Sequence, residues 1–168
     1  MIIFKSKLIL DKTIPIEKDF VFVDYKSSFK SPLLDVKKCY GYLEITKYRN
    51  IIRMNVDLKV KVLLECSYSL EPFEDEINLH EEVLIGDSKS FDDEIMIIDQ
   101  DEIEIESILL ALITSSIPLK PIKPGAKRPE SGEGYRVIDD EQLALDRRES
   151  GDSRFAKLDE IDVDDDDI

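Results

Sequence analysis

Hydrophobic positions along this chain recur mainly with a period of two. From 52 to 64, Ile52, Met54, Val56, Leu58, Val60, Val62 and Leu64 alternate with Arg53, Asn55, Asp57, Lys59 and Lys61. Only a pleated strand sends one such set inward and the other outward. Upstream, Tyr40, Tyr42, Glu44 and Thr46 alternate with Leu43, Ile45 and Lys47, and Asn50 sits in a turn. Downstream, Cys66–Phe73 turns the chain, and Ile77, Leu79, Glu81, Val83 and Ile85 resume the alternation. Residues 50–65 and 74–85 are therefore expected to pair antiparallel as a hairpin. Weaker strand signals lie at Ile2, Phe4, Leu8 and Leu10, in the run Phe20–Val23, and at Glu94–Ile98. The polar stretch 24–33, with Lys26 and Lys30 exposed, reads as a loop, as does 86–93.

Beyond Asp99 the period lengthens. Ile103, Ile105, Ile108, Leu109, Leu112 and Ile113 recur mostly at three or four residues, which predicts a helix near 101–116. Asp99, Asp101, Glu102 and Glu104 crowd its expected start, where acids suit the helix dipole. Pro118 ends it. The segment LKPIKPGAKRPESGEG is too rich in Pro and Gly for regular structure, and 137–150 is at most weakly helical. The last ten residues, DEIDVDDDDI, form a self-repelling acidic tail that reads as disordered. The expectation is an α+β fold: a curved antiparallel sheet, one main helix packed on it, and a flexible acidic C-terminal tail. Residues 1–119 would form the core and 120–168 a largely irregular extension.

Charge adds an asymmetry to this picture. The 168-residue chain carries a formal net charge of −15, yet residues 1–70 hold 13 Lys/Arg against 8 Asp/Glu, and residues 71–168 hold 10 against 30. The first part suits an anionic partner and the second repels one. The N-terminus has Lys5 and Lys7 inside its apolar run and does not read as a signal peptide. The longest apolar stretch, Ile105–Leu119, carries Glu106 and falls short of the roughly 20 residues that span a bilayer. A cytoplasmic location with Cys39 and Cys66 reduced is expected.

Catalytic chemistry is hard to assemble from these residues. No phosphate-binding glycine motif occurs. His80, the single histidine, reads as a solvated strand residue. One histidine and two distant cysteines make a poor zinc set. Asp162, Asp164 and Asp165 resemble the opening of a calcium loop but lack its glycine and distant glutamate. Asp92, Asp93, Asp99 and Asp101 flank element ends, where acids are ordinary. No metal, cofactor or enzymatic activity is expected. Among the basic residues, Lys37, Lys38, Lys47, Arg49, Arg53, Lys59 and Lys61 lie close to Tyr40, Tyr42 and Tyr48. Arg53, Lys59 and Lys61 share one strand face, so they are candidate RNA contacts; an ordinary solvated face is the plainer reading.

Three motifs carry a resemblance. Cys66, Leu70, Pro72 and Phe73 fit C-x-x-C-L-x-P-F after a long strand, with Ser69 in place of the second cysteine. Asp101–Leu119 followed by Lys120 and Pro121 fits an acidic-start helix ending in a Pro-Leu-x-Pro segment. Asp152, Arg154 and Leu158 fit a closing D-x-R-x-x-x-L. In this order, across residues 45 to 160, they resemble the bacterial YceD family of large ribosomal RNA subunit accumulation proteins. Many members carry a further cysteine cluster after the helix; KPGAKRPESGEG stands there instead, so the resemblance implies no zinc knuckle and leaves Cys66 as a packed turn residue. It implies a part in accumulation or maturation of large-subunit ribosomal RNA, with no assigned reaction. The expected partner is a precursor of the large subunit, met through RNA at Arg53, Lys59 and Lys61, or through a basic ribosomal protein at Asp99, Asp101, Glu102 and Glu104. Alternatives from other classes are a protein-binding adaptor unrelated to ribosomes and, more weakly supported, a metal-dependent hydrolase using the acidic clusters.

Overall fold

Alternation becomes structure most directly in the long central strand. A computed structural model describes residues 1–87, 95–138 and 142–146. Its strands are β1 (Ile2–Phe4), β2 (Thr13–Asp19), β3 (Leu33–Lys47), β4 (Ile52–Glu65), β5 (Pro72–Gly86), β6 (Ile95–Ile97) and β7 (Glu102–Glu104), followed by helix α1 (Ile105–Ser116). All seven alternating apolar positions of β4, from Ile52 to Leu64, are buried. The polar positions between them point the other way, as a period of two demands.

Five strands make one open sheet in the order β2-β3-β4-β5-β6. The expected hairpin is present, with β4 and β5 antiparallel from Ile52↔Ile85 to Glu65↔Pro72. β6 joins β5 in parallel at Leu84–Gly86, so the sheet is mixed at that edge. Ile105, Ile108, Leu109 and Ile113 of α1 share one buried cluster with the inward side chains of β3, β4 and β5. The fold is α+β, as expected.

Several element boundaries differ from the sequence expectation. Residues 2–10 are not one strand: β1 stops at Phe4, Lys5–Lys7 makes a 3-10 turn, and Leu10 forms a lone bridge to Lys47. Phe20–Val23 is not a strand either. β2 lies just before it, and a 3-10 turn follows at Val23–Ser28, inside the expected loop. Phe20 and Phe22 are buried anchors, whereas Val21 and Val23 are exposed. The helix starts at Ile105, not near 101. Glu102 and Glu104 are exposed around buried Ile103, a period of two that pairs with β1 through Ile3↔Ile103. The Ile105 N–H then donates to the Met1 carbonyl (3.1 Å), and the helix begins without a side-chain cap.

The chain divides into two units, Met1–Lys127 and Arg128–Ile168. In the second, Gly132 and Tyr135 form a bridge and Arg136 pairs with Asp146 at 3.0 Å. The acidic tail, the loop residues 88–94 and the motif residues Asp152, Arg154 and Leu158 lie outside the described residues.

Candidate partner-binding site on the outer sheet face

The polar positions of β2 to β5 form one continuous outer face. Register lays Asp19, Tyr40, Lys59 and Asn78 in one row, and Glu17, Tyr42, Asp57 and His80 in the next. Lys38, Lys61 and Glu76 make another row, and Thr46 and Arg53 lie towards the far end. Arg53, Lys59 and Lys61 do share this face. Two of them are already engaged. Lys61 Nζ lies 2.7 Å from Glu74, which holds the ammonium pKa above its ordinary value. Arg53 Nε lies 3.3 Å from Glu82, and its guanidinium stands over the Tyr48 ring at 5.3 Å. The Arg53 Nε is shielded and lacks a hydrogen-bond acceptor, so the Glu82 contact is ionic only. Lys59 holds no ion pair among the described residues.

Two shallow depressions meet on this face. One, of about 250 Å³, is walled by Tyr40, Tyr42, Asp57, Lys59, Asn78 and His80. Its neighbour, about 350 Å³, shares Tyr40, Lys59 and Asn78 and adds Lys38, Lys61 and Glu76. The Tyr40 hydroxyl donates to Glu17, and the Tyr42 hydroxyl donates to Glu44 at 3.0 Å. Both bonds to carboxylates raise the phenol pKa values. His80 pairs with Asp57, which holds the imidazole pKa up, although the ring is 81% exposed. Carboxylates outnumber cations here: Glu17, Asp19, Glu44, Asp57, Glu74, Glu76 and Glu82 stand against Lys38, Arg53, Lys59 and Lys61. Such a face repels phosphate and attracts cations. The cations of β4 are legible in the sequence, but the acids that neutralise them, Glu74 and Glu82, are not, because they belong to a different strand, β5.

The acidic set proposed at the helix start is dispersed. Asp101 accepts from the Ser6 N–H (2.8 Å) and hydroxyl (2.7 Å), bonds that hold its pKa below the ordinary range. Glu102 and Glu104 are exposed on β7, and Asp99 precedes that strand. The acid inside the first turn of α1 is Glu106, which is buried and pairs with the Met1 amine.

At the hairpin turn, the Leu70 N–H donates to the Cys66 carbonyl and the Cys66 N–H to the Glu71 carbonyl. Leu70 takes a positive φ of 57° and is exposed, Pro72 opens β5, and Phe73 is buried. Cys66 is fully buried, and its sulfur accepts the Lys123 N–H at 3.3 Å. The Ser67 N–H donates to the Pro121 carbonyl (2.8 Å), so residues 121–123 brace the turn. A hydrogen bond from the Ser69 side chain leads the effects that bring the Cys66 thiol down to about 7; burial opposes it, and the Lys123 N–H assists. Cys39, without such donors, is pushed up to about 12 by burial. No group of three or more His, Cys, Asp or Glu among the described residues is placed to hold a metal ion.

The family model for the large ribosomal RNA subunit accumulation protein YceD matches residues 54–162, more than half of the chain. The chain belongs to the YceD family. The match takes in β4 from Met54 onward, the hairpin turn with Cys66, Leu70, Pro72 and Phe73, helix α1 and the stretch containing Asp152, Arg154 and Leu158. In this YceD-family chain, β1 to β3, with Tyr40 and Tyr42, precede the matched range. Comparison with curated proteins and with solved structures finds no match. No helix among the described residues is long and apolar enough to cross a membrane.

Proposed function

We propose that this YceD-family protein is a cytoplasmic, non-catalytic assembly factor. It supports accumulation of large-subunit ribosomal RNA by binding a basic protein component of the subunit precursor on its outer sheet face. Family membership supports the ribosomal setting. The observation that carries the choice of protein over RNA is the neutralisation of Arg53 by Glu82 and of Lys61 by Glu74, within a face where carboxylates are in excess. Phosphate binding needs several uncommitted cations, because each contact contributes through counterion release. Lys38 and Lys59, which hold no ion pair among the described residues, are too few against the carboxylates of this face. Within this reading Cys66, Leu70, Pro72 and Phe73 shape the turn that sets the hairpin, and Asp101, Glu102 and Glu104 are secondary to the sheet face.

Affinity capture of large-subunit precursors tests the reading. Replacing Glu17, Glu44 and Glu76 together by Gln is expected to reduce association strongly and to leave the melting temperature nearly unchanged, since all three are surface groups. Undiminished capture would remove the outer face from the interaction. Capture of non-ribosomal proteins alone would favour the adaptor reading.

A further inference from the structure

The sheet ends on a strand with an open side. β5 pairs with β4 along its length, yet β6 reaches only Leu84–Gly86 on the other side. Among the described residues, Phe73–Val83 has no strand partner there. The backbone directions follow from the ladder. The Cys66 N–H donates to the Glu71 carbonyl at 2.9 Å, and the register runs on without a shift through Leu64↔Phe73 and Val62↔Asp75. Hydrogen-bonded pairs alternate in an antiparallel ladder, so the odd-numbered residues of β5 bond to β4. Glu74, Glu76, Asn78, His80 and Glu82 therefore turn their N–H and C=O groups outward. Two contacts agree: the Gly86 carbonyl accepts from Ile98 on the β6 side (3.0 Å), and the Glu76 N–H donates to Asp75 Oδ1 (2.9 Å), not to β4.

We propose that the free edge of β5 between Phe73 and Val83 takes an extended protein segment, added as a further strand, in which Lys or Arg alternates with apolar residues. This rests on the protein-binding reading above and names the form of the partner. Strand addition satisfies the outward N–H and C=O groups, and alternate side chains supply selectivity. On the outer side the added strand meets Glu76, which holds no ion pair and calls for a cation, between Glu74 and Glu82, which are paired with Lys61 and Arg53. On the inner side it meets Ile77, half-buried, and Leu79, buried, which call for apolar residues at the centre, flanked by exposed Asp75 and Glu81. Asp75, Glu76 and Glu81 hold no ion pair among the described residues, so their charge is open to the partner. A second copy of this chain does not fit, because β5 against β5 would set carboxylates opposite carboxylates.

The test uses the isotope-labelled full chain and a capped peptide of alternating lysine and valine. Expected are amide shifts and slowed hydrogen exchange at Glu74, Asn78, His80 and Glu82, and no binding of a glutamate–valine peptide. Asn78→Pro removes an edge N–H but no bond to β4, and should weaken the lysine–valine peptide at least about tenfold. Should that variant fail to fold, Glu76→Lys with Glu81→Lys should weaken it comparably through repulsion. Perturbation away from β5, equal binding of the acidic peptide, or self-association through β5 without a peptide effect overturns the proposal. So does full peptide affinity in the folded variants, and if the Gln triple variant still loses precursors in that case, the proposed function stands. Weakened peptide binding with precursor capture intact in every variant overturns the proposed function instead, and leaves the edge as a docking site.

Discussion

Gly41 shows how a single residue sets the packing at the start of the sheet. A Cβ there would lie 2.7 Å from Leu58 Cδ2 and 2.8 Å from Phe20 Cε2. The Phe20 ring covers the glycine, which is why Phe20 leaves the strand alignment and anchors the turn after β2. Gly41→Ala should therefore destabilise the fold by about 1–3 kcal/mol, the usual cost of overpacking, measured as a lowered denaturation midpoint. Neither partner of this contact was legible in the sequence, since Phe20 and Gly41 are distant and the run Phe20–Val23 has strong strand propensity. Cys66 is more legible, as a packed residue at the turn, and it is fully buried there. What the sequence hid is the loop at 121–123 that supplies a donor to its sulfur. Ser69→Ala should raise the Cys66 thiol from about 7 towards its ordinary value, followed as thiolate absorbance against pH in a background lacking Cys39. The sign is fixed by linkage: a thiol depressed on folding adds stability above its unfolded pKa, and loses that contribution as pH falls through the folded value. The variant should flatten this pH dependence.

At the scale of elements, strict alternation was the reliable signal. β4 and its pairing with β5 were legible because every second residue over the whole strand is apolar, a pattern a helix cannot bury. The start of α1 was not. Asp101–Glu106 reads equally as an acidic first turn or as a short strand around Ile103, and pairing with β1, a hundred residues away, decides for the strand. β6 was placed as a strand correctly, but its parallel direction depends on a long-range pairing that local pattern does not encode. The apolar stripe of α1 was legible and covers the inner sheet face. Leu109→Ala removes a fully buried side chain from that contact and should cost about 2–5 kcal/mol. A thermal or denaturant unfolding curve checks this, and a cost near zero would mean that α1 does not seal the core.

Across the whole molecule, sequence-level charge bookkeeping identified an asymmetry but misplaced it. The basic N-terminal part and the acidic remainder are not two separate faces, because β5 lies beside β4 and β2 beside β3 in one sheet. Acids of β5 therefore neutralise cations of β4, and acids of β2 bond the tyrosine of β3. Replacing Arg53, Lys59 and Lys61 together by Glu separates the two partner classes. Both engaged cations are over a third exposed, 43% and 41%, so solvent screening leaves their pairs little weight in stability and the variant should stay folded. If RNA phosphates were the contact, the variant would lose large-subunit precursors, and the residual binding would show a flatter salt dependence, roughly in proportion to the cations removed. If a basic protein segment is the contact, added carboxylates strengthen the attraction or leave it unchanged, and they raise the association rate at low salt. The second outcome is expected. The measurement is capture of large-subunit precursors across a salt series, wild type beside variant. Retained or increased capture at low salt, converging with wild type as salt rises, is the result that the excess of carboxylates on this face requires.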